Sequence, residues 1–180
     1  MTRYVAFLRA INVGGHVVRM EVLRELFASM HLDKVETFIA SGNVIFSTKR
    51  QDREALRNSI ESSLKKALGY EVTTFLRTVS EVGEIASYEA FPLADVNSAT
   101  TFCVGMLEAP PDAEAVKRAL AIKPEMDAFH FRGAEFYWLS KQKQSESKFS
   151  AAALEKAIKA RVTFRGMNTM RKLVAMLASS

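Results

Sequence analysis

Apolar positions switch repeatedly between two spacings along this chain. Tyr4 to Leu8 is a continuous apolar run with aromatic members, the signature of a buried strand. Leu23, Leu26, Phe27 and Met30 then recur at helical spacing and predict a helix over about Met20 to Met30. Val35, Thr37 and Ile39 alternate with Glu36 and Phe38, so a second strand follows. Ser41-Gly42-Asn43 is turn chemistry, and Val44 to Ser47 returns as the other arm of a hairpin. Leu56, Ile60, Leu64 and Leu68 mark a second helix that Gly69 stops. Val72 to Arg77 reads as a fourth strand, followed by a short helix that Ser80 is placed to cap. Leu93 to Ala99 reads as a connector.

The second half repeats the order. Thr100 to Leu107 is a strand, and Pro110-Pro111-Asp112 opens a helix carrying Val116, Ala119 and Leu120. Met126 to Phe131 and Glu135 to Ser140 are strands joined by a turn at Arg132-Gly133. A helix with Leu154 and Ile158, a short strand at Val162 to Phe164 and a last helix with Met170, Leu173 and Leu177 complete it. Strand-helix-strand-strand-helix-strand in each half predicts an α+β protein of two ferredoxin-like (α–β plait) subdomains, each followed by an extra helix. The expected division is residues 1–92 and 93–180. The repeat lies in element order, not in residue identity.

That topology gathers residues that are distant in sequence. The first and second strands of each subdomain run parallel, with the third inserted between them. The end of the first strand and the hairpin after the second therefore share one end of the sheet. In the first half this unites Arg9, Asn12, Gly14 and Gly15 with Ser41, Gly42 and Asn43. In the second half the opposite end unites Ser145, Ser147 and Lys148 with Arg165, Gly166, Asn168 and Thr169, with Asn168 expected to cap the last helix. Glycines after a strand expose backbone amides, and cations beside amides favour anions. Docking of these two ends would form a single basic cleft.

Composition narrows the partners. A formal charge of +5 permits weak attraction to polyanions, so nucleic acid is one candidate partner beside a small phosphate- or carboxylate-bearing ligand. The single cysteine, Cys103, excludes an internal disulfide and sits in an apolar run that predicts a buried, inert thiol, in keeping with a cytoplasmic location. No signal peptide is read at Met1 to Leu8, and no apolar run is long enough to span a membrane. The chain lacks Walker, GxGxxG, CxxC, HExxH and GxSxG patterns, so no cofactor or metal is expected. His130 among phenylalanines reads as structural, and Phe136-Tyr137-Trp138 as core.

Three segments together carry a family signature: Leu8-Arg9-Ala10-Ile11-Asn12-Val13-Gly14-Gly15, Phe38 to Phe46 around Ser41-Gly42-Asn43, and Ser147-Lys148-Phe149-Ser150 with Thr163 to Thr169. In order and spacing the chain resembles the bacterial family known as domain of unknown function 1697. The resemblance implies two ferredoxin-like subdomains and no particular activity. Ala10 stands where the family pattern has glycine, which implies a negative φ there, and Gly166-Met167 replace Asn-Trp. Three functional readings follow. The first is a binding module for an anionic ligand. The second is a cofactor-free enzyme in which Arg9 and Arg165 stabilise charge, Asn12 or Asn43 orients substrate, and Lys148 or His16 moves a proton. In the third, the same residues only cap turns.

Overall fold

A strand that must pair antiparallel with two others forces helices to carry the chain back, and both halves are built this way. The computed structural model describes residues 1–12, 14–39 and 42–179 in two compact units, Met1–Gly83 and Glu84–Ser180. The first unit contains β1 (Thr2–Leu8), α1 (Met20–Ser29), β2 (Asp33–Thr37), β3 (Asn43–Thr48), α2 (Arg53–Leu68) and β4 (Thr74–Thr78). Its sheet order is β2-β3-β1-β4, and every neighbouring pair is antiparallel. β1 and β2 therefore run parallel across β3, joined by α1, and β3 and β4 run parallel across β1, joined by α2. This is the ferredoxin-like arrangement expected from the sequence.

Side chains alternate faces along each strand. Tyr4, Ala6 and Leu8 of β1 join Val44, Phe46 and Leu76 against Leu23 and Phe27 of α1 and Leu56, Ile60 and Leu64 of α2. Each of those large helix side chains contributes about 1.5–3 kcal/mol by leaving water. The α2 helix begins where the Asp52 carboxylate accepts from Ala55 N at 2.9 Å and ends at left-handed Gly69 (φ +82°). Helix α3 (Val79–Ser87) follows. Thr78, not Ser80, starts it: Thr78 Oγ1 accepts from Glu81 N at 3.2 Å, while Glu81 Oε2 accepts from Thr78 N at 2.7 Å. This reciprocal pair satisfies two otherwise orphan donors.

The second unit contains α4 (Leu93–Ser98), β5 (Thr101–Leu107), α5 (Ala113–Ala121), β6 (Asp127–Arg132), β7 (Glu135–Ser140), α6 (Ala151–Ile158), β8 (Val162–Gly166) and α7 (Met167–Ala178). Its order, β6-β7-β5-β8, repeats the first sheet. The 93–99 connector expected from the sequence is largely α4, which Pro92 initiates by accepting from Asp95 N and Val96 N. This helix buries none of its residues, which is why apolar periodicity does not reveal it. Phe136, Trp138, Phe149, Leu154 and Ile158 form the helix-covered core. Gly105 lets Val162 and Phe164 close over the sheet, because a Cβ there would lie 2.7 Å from Val162 Cγ2. Cys103 is buried, and burial pushes its thiol up to about 11. Residues 85–88 pack onto this unit: Tyr137 Oη donates to Ile85 O at 3.1 Å, and Tyr88 Oη meets His130 Nε2 at 2.9 Å.

The two units agree at one further position. Val5, the fourth residue of β1, pairs with Arg77, and Val104, the fourth of β5, pairs with Arg165. Both arginines are buried, and each donates from Nη1 to the carbonyl of the preceding residue, Leu76 at 2.9 Å and Phe164 at 2.8 Å. Repetition that residue identity hides is thus present at equal register.

Tyr137 is fully buried, and this desolvation pushes its hydroxyl up to about 12, with Glu135 adding to the shift and Arg132 partly opposing it. An acid with a folded pKa above its unfolded value holds its proton more tightly when native. Stability is then fully present below the ordinary tyrosine value near 10 and lost as pH rises towards 12. The raised Cys103 thiol acts with the same sign from a lower starting point. Urea midpoints should therefore fall as pH rises above about 10, and Tyr137→Phe should flatten that fall.

Candidate functional site

The β1 chain continues in register beyond Leu8, because Arg9 N donates to Thr73 O at 2.9 Å. Leu8 N donates to Gly42 O at 2.8 Å, so the loop after β1 meets the β2–β3 hairpin as topology requires. The contact is close. A Cβ on Gly42 (φ +78°) would lie 2.7 Å from Ile11 Cγ2 and 3.1 Å from Leu8 Cβ. Leu8 and Ile11 thereby meet Gly42, and Phe7 pairs with Asn43. Ser41 lies outside the described residues.

Within this end the side chains divide. Asn12 Oδ1 accepts from Val18 N at 2.7 Å and ties the loop across itself. Asn43 is completely buried, and its Nδ2 donates to Phe38 O at 2.8 Å, closing the hairpin. Tyr70 Oη donates to Ile11 O at 3.0 Å, and its ring stacks on His16 at 4.0 Å between centroids. These contacts fix the loop. Gly14 (φ +63°) and Gly15 (φ +84°) remain exposed with open space around them, and Arg9 is half-buried at the loop's base. Arg19, exposed at the N-cap position of α1, makes no side-chain cap.

The backbone is strained here. Ala10 has φ +59°, where the sequence implied a negative value, so the left-handed turn starts at Ala10 and not after it. Ile39 also has φ +59°, an outlier for a β-branched residue, and it ends the second strand early, at Thr37. The strained residues in the two loops at this end of the sheet are thus Ala10 and Ile39, while Gly14, Gly15 and Gly42 adopt positive φ without steric cost. Such strain persists only where surrounding contacts over-determine it, and it concentrates at functional sites.

In the second group, Ser147 is held by a residue that sequence reasoning missed. Asp127 is buried at the start of β6, and its Oδ2 accepts from Trp138 Nε1 and from Ser147 Oγ, both at 3.0 Å. Ser147 Oγ in turn accepts from Phe149 N at 3.1 Å, so this serine struts the approach to α6. Asp127 Oδ1 has no hydrogen-bond partner among the described residues. A buried tryptophan needs an acceptor for its N–H, and that need was the available signal. Arg165 donates to Thr163 Oγ1 and Phe164 O, both at 2.8 Å, and desolvation pulls its pKa down to about 10. It is an interior cation, still charged at neutral pH. The N-cap of α7 is Gly166, not Asn168, because β8 runs on to Gly166 and buried Met167 begins the helix. Asn168 sits exposed in the first turn, Thr169 is half-exposed, and Ser145 and Lys148 are exposed.

With two βαββαβ units and this loop constellation in place, comparison becomes informative. The family model described as "Protein of unknown function (DUF1697)" matches residues 1–137, and the chain belongs to that family. Among solved structures, the chain is similar to the conserved bacterial protein SP0830 from Streptococcus pneumoniae, at 22% identity over 99% of each chain with a TM-score of 0.74. That likeness establishes the fold. No curated protein matches the chain. Among the described residues no helix is long and apolar enough to cross a membrane, and no cluster of three or more His, Cys, Asp or Glu could hold a metal ion.

Two substitutions test this description. Ala10→Gly relieves a left-handed strain of about 1–2 kcal/mol against a chain-entropy loss of about 0.5–1 kcal/mol. It should raise the unfolding free energy by about 0.5–1 kcal/mol in urea titrations followed by circular dichroism. Asp127→Ala strands the buried Trp138 N–H and frees the half-buried Ser147 hydroxyl, and it should lower stability by about 1–3 kcal/mol, the cost of one buried group left unpaired.

Proposed function

We propose that this protein is a binding module for a small anionic ligand bearing a phosphate or carboxylate, held at the loop end of the first sheet. Arg9 supplies the charge, and the exposed Gly14–Gly15 backbone supplies amides. Asn12, Gly42 and Asn43 shape the loops. The observation that carries this reading is the pair of exposed, left-handed glycines on a loop pinned by Ile11 against Gly42 and by the Tyr70 hydroxyl. A loop fixed before binding loses little entropy when a ligand arrives. Each charge-assisted hydrogen bond then contributes about 1.5–3 kcal/mol. In the second unit Ser147 and Arg165 are engaged inside the fold, so the reading rests on the first unit.

A purely structural role is the second reading, favoured by the internal hydrogen bonds of Asn12 and Asn43. Thermal shift separates the two. Sodium phosphate or citrate should raise Tm relative to sodium chloride at equal ionic strength, and Arg9→Ala should abolish that rise. A lower ligand-free Tm in Arg9→Ala, with no anion raising Tm in the parent protein, selects the structural role. For an oligonucleotide probe, affinity that falls steeply with salt would identify nucleic acid as the anion, and a flat dependence would remove it.

A further inference from the structure

We propose that the second unit carries a separate ligand site, formed by the segment after α3, α4, β5 and α7, that takes a small aromatic carboxylate. A cavity of about 570 Å³ opens there, within the range of about 300–1,000 Å³ typical of small-molecule sites. Its walls include Tyr88, Phe91 and Phe102, with Val96 of α4 beside them. Phe91 and Phe102 meet edge-on with centroids 5.8 Å apart and so pack into one continuous aromatic wall. Leu93, also in the lining, is 73% exposed, so apolar surface stands uncovered at the mouth.

The slot is held in shape before any ligand arrives. The Tyr88 hydroxyl bonds His130 Nε2 at 2.9 Å, and the Arg132 guanidinium lies 4.3 Å from the centre of the Tyr88 ring. Arg171 of α7 supplies the lining's cation. It is exposed, and its side chain has no ion pair or hydrogen bond among the described residues, so its fork remains available for a carboxylate. Glu89 also lines the cavity and disfavours ligands carrying more than one negative charge. Aromatic walls plus a single uncommitted guanidinium specify a flat apolar body with one carboxylate.

The test uses 2-naphthoate and its neutral counterpart 2-naphthalenemethanol, titrated calorimetrically into the full chain. The parent protein should bind naphthoate at least about tenfold more tightly than the alcohol, the margin of a charge-assisted bond. Arg171→Gln should erase that margin and leave alcohol binding unchanged. Val96→Trp, which fills the cavity, should weaken both probes. Arg9→Ala should change neither, which separates this site from the loop site of the first unit. Failure of both probes to bind overturns the proposal, as does naphthoate affinity that survives Arg171→Gln or Val96→Trp.

Discussion

Insertion of the third strand, antiparallel, between two parallel ones is the constraint on which everything else rests. Each sheet has that strand, β3 or β7, paired on both sides. Its neighbours cannot be reached by hairpins alone, so one helix must cross over on each side, and both crossings fall on the same sheet face. That face becomes the helix-covered core. The same constraint decides which loops are neighbours. The loop after β1 has to meet the turn between β2 and β3, and the approach to α6 has to share an end with the close of β8.

Hydrogen bonding then decides which polar residues at those ends remain available. Asn12, Asn43, Ser147 and Arg165 are all polar residues in motif segments, and the fold engages each one internally. In the first unit the backbone at Gly14 and Gly15 stays exposed. Polar side chains that look like ligands in a sequence are here the struts that hold a loop still.

Much of the fold was legible because its signals are periodic. The continuous apolar run of β1 and the helical spacing in α2 report burial directly, and βαββαβ order follows from the succession of such segments. The misses share a cause. Helix α4 buries nothing and leaves no apolar period. Thr78 caps α3 through a partner three residues on, which a reading centred on Ser80 overlooks. The positive φ of Ala10 and Ile39 is imposed by tertiary packing against residue preference, so no local rule reports it. Asp127 is a lone acid in sequence, and its role exists only because Trp138 and Ser147 arrive beside it from other elements.

Trp138 itself has an optical consequence. The chain has one tryptophan, and it lies in the Glu84–Ser180 unit, packed edge-on against Phe149 and Phe164. Its emission is a local gauge. If the two units melt at different denaturant concentrations, indole fluorescence traces only the C-terminal event, whereas the far-ultraviolet amide signal sums both. Disagreement between those two curves would reveal that the halves, built alike, come apart separately.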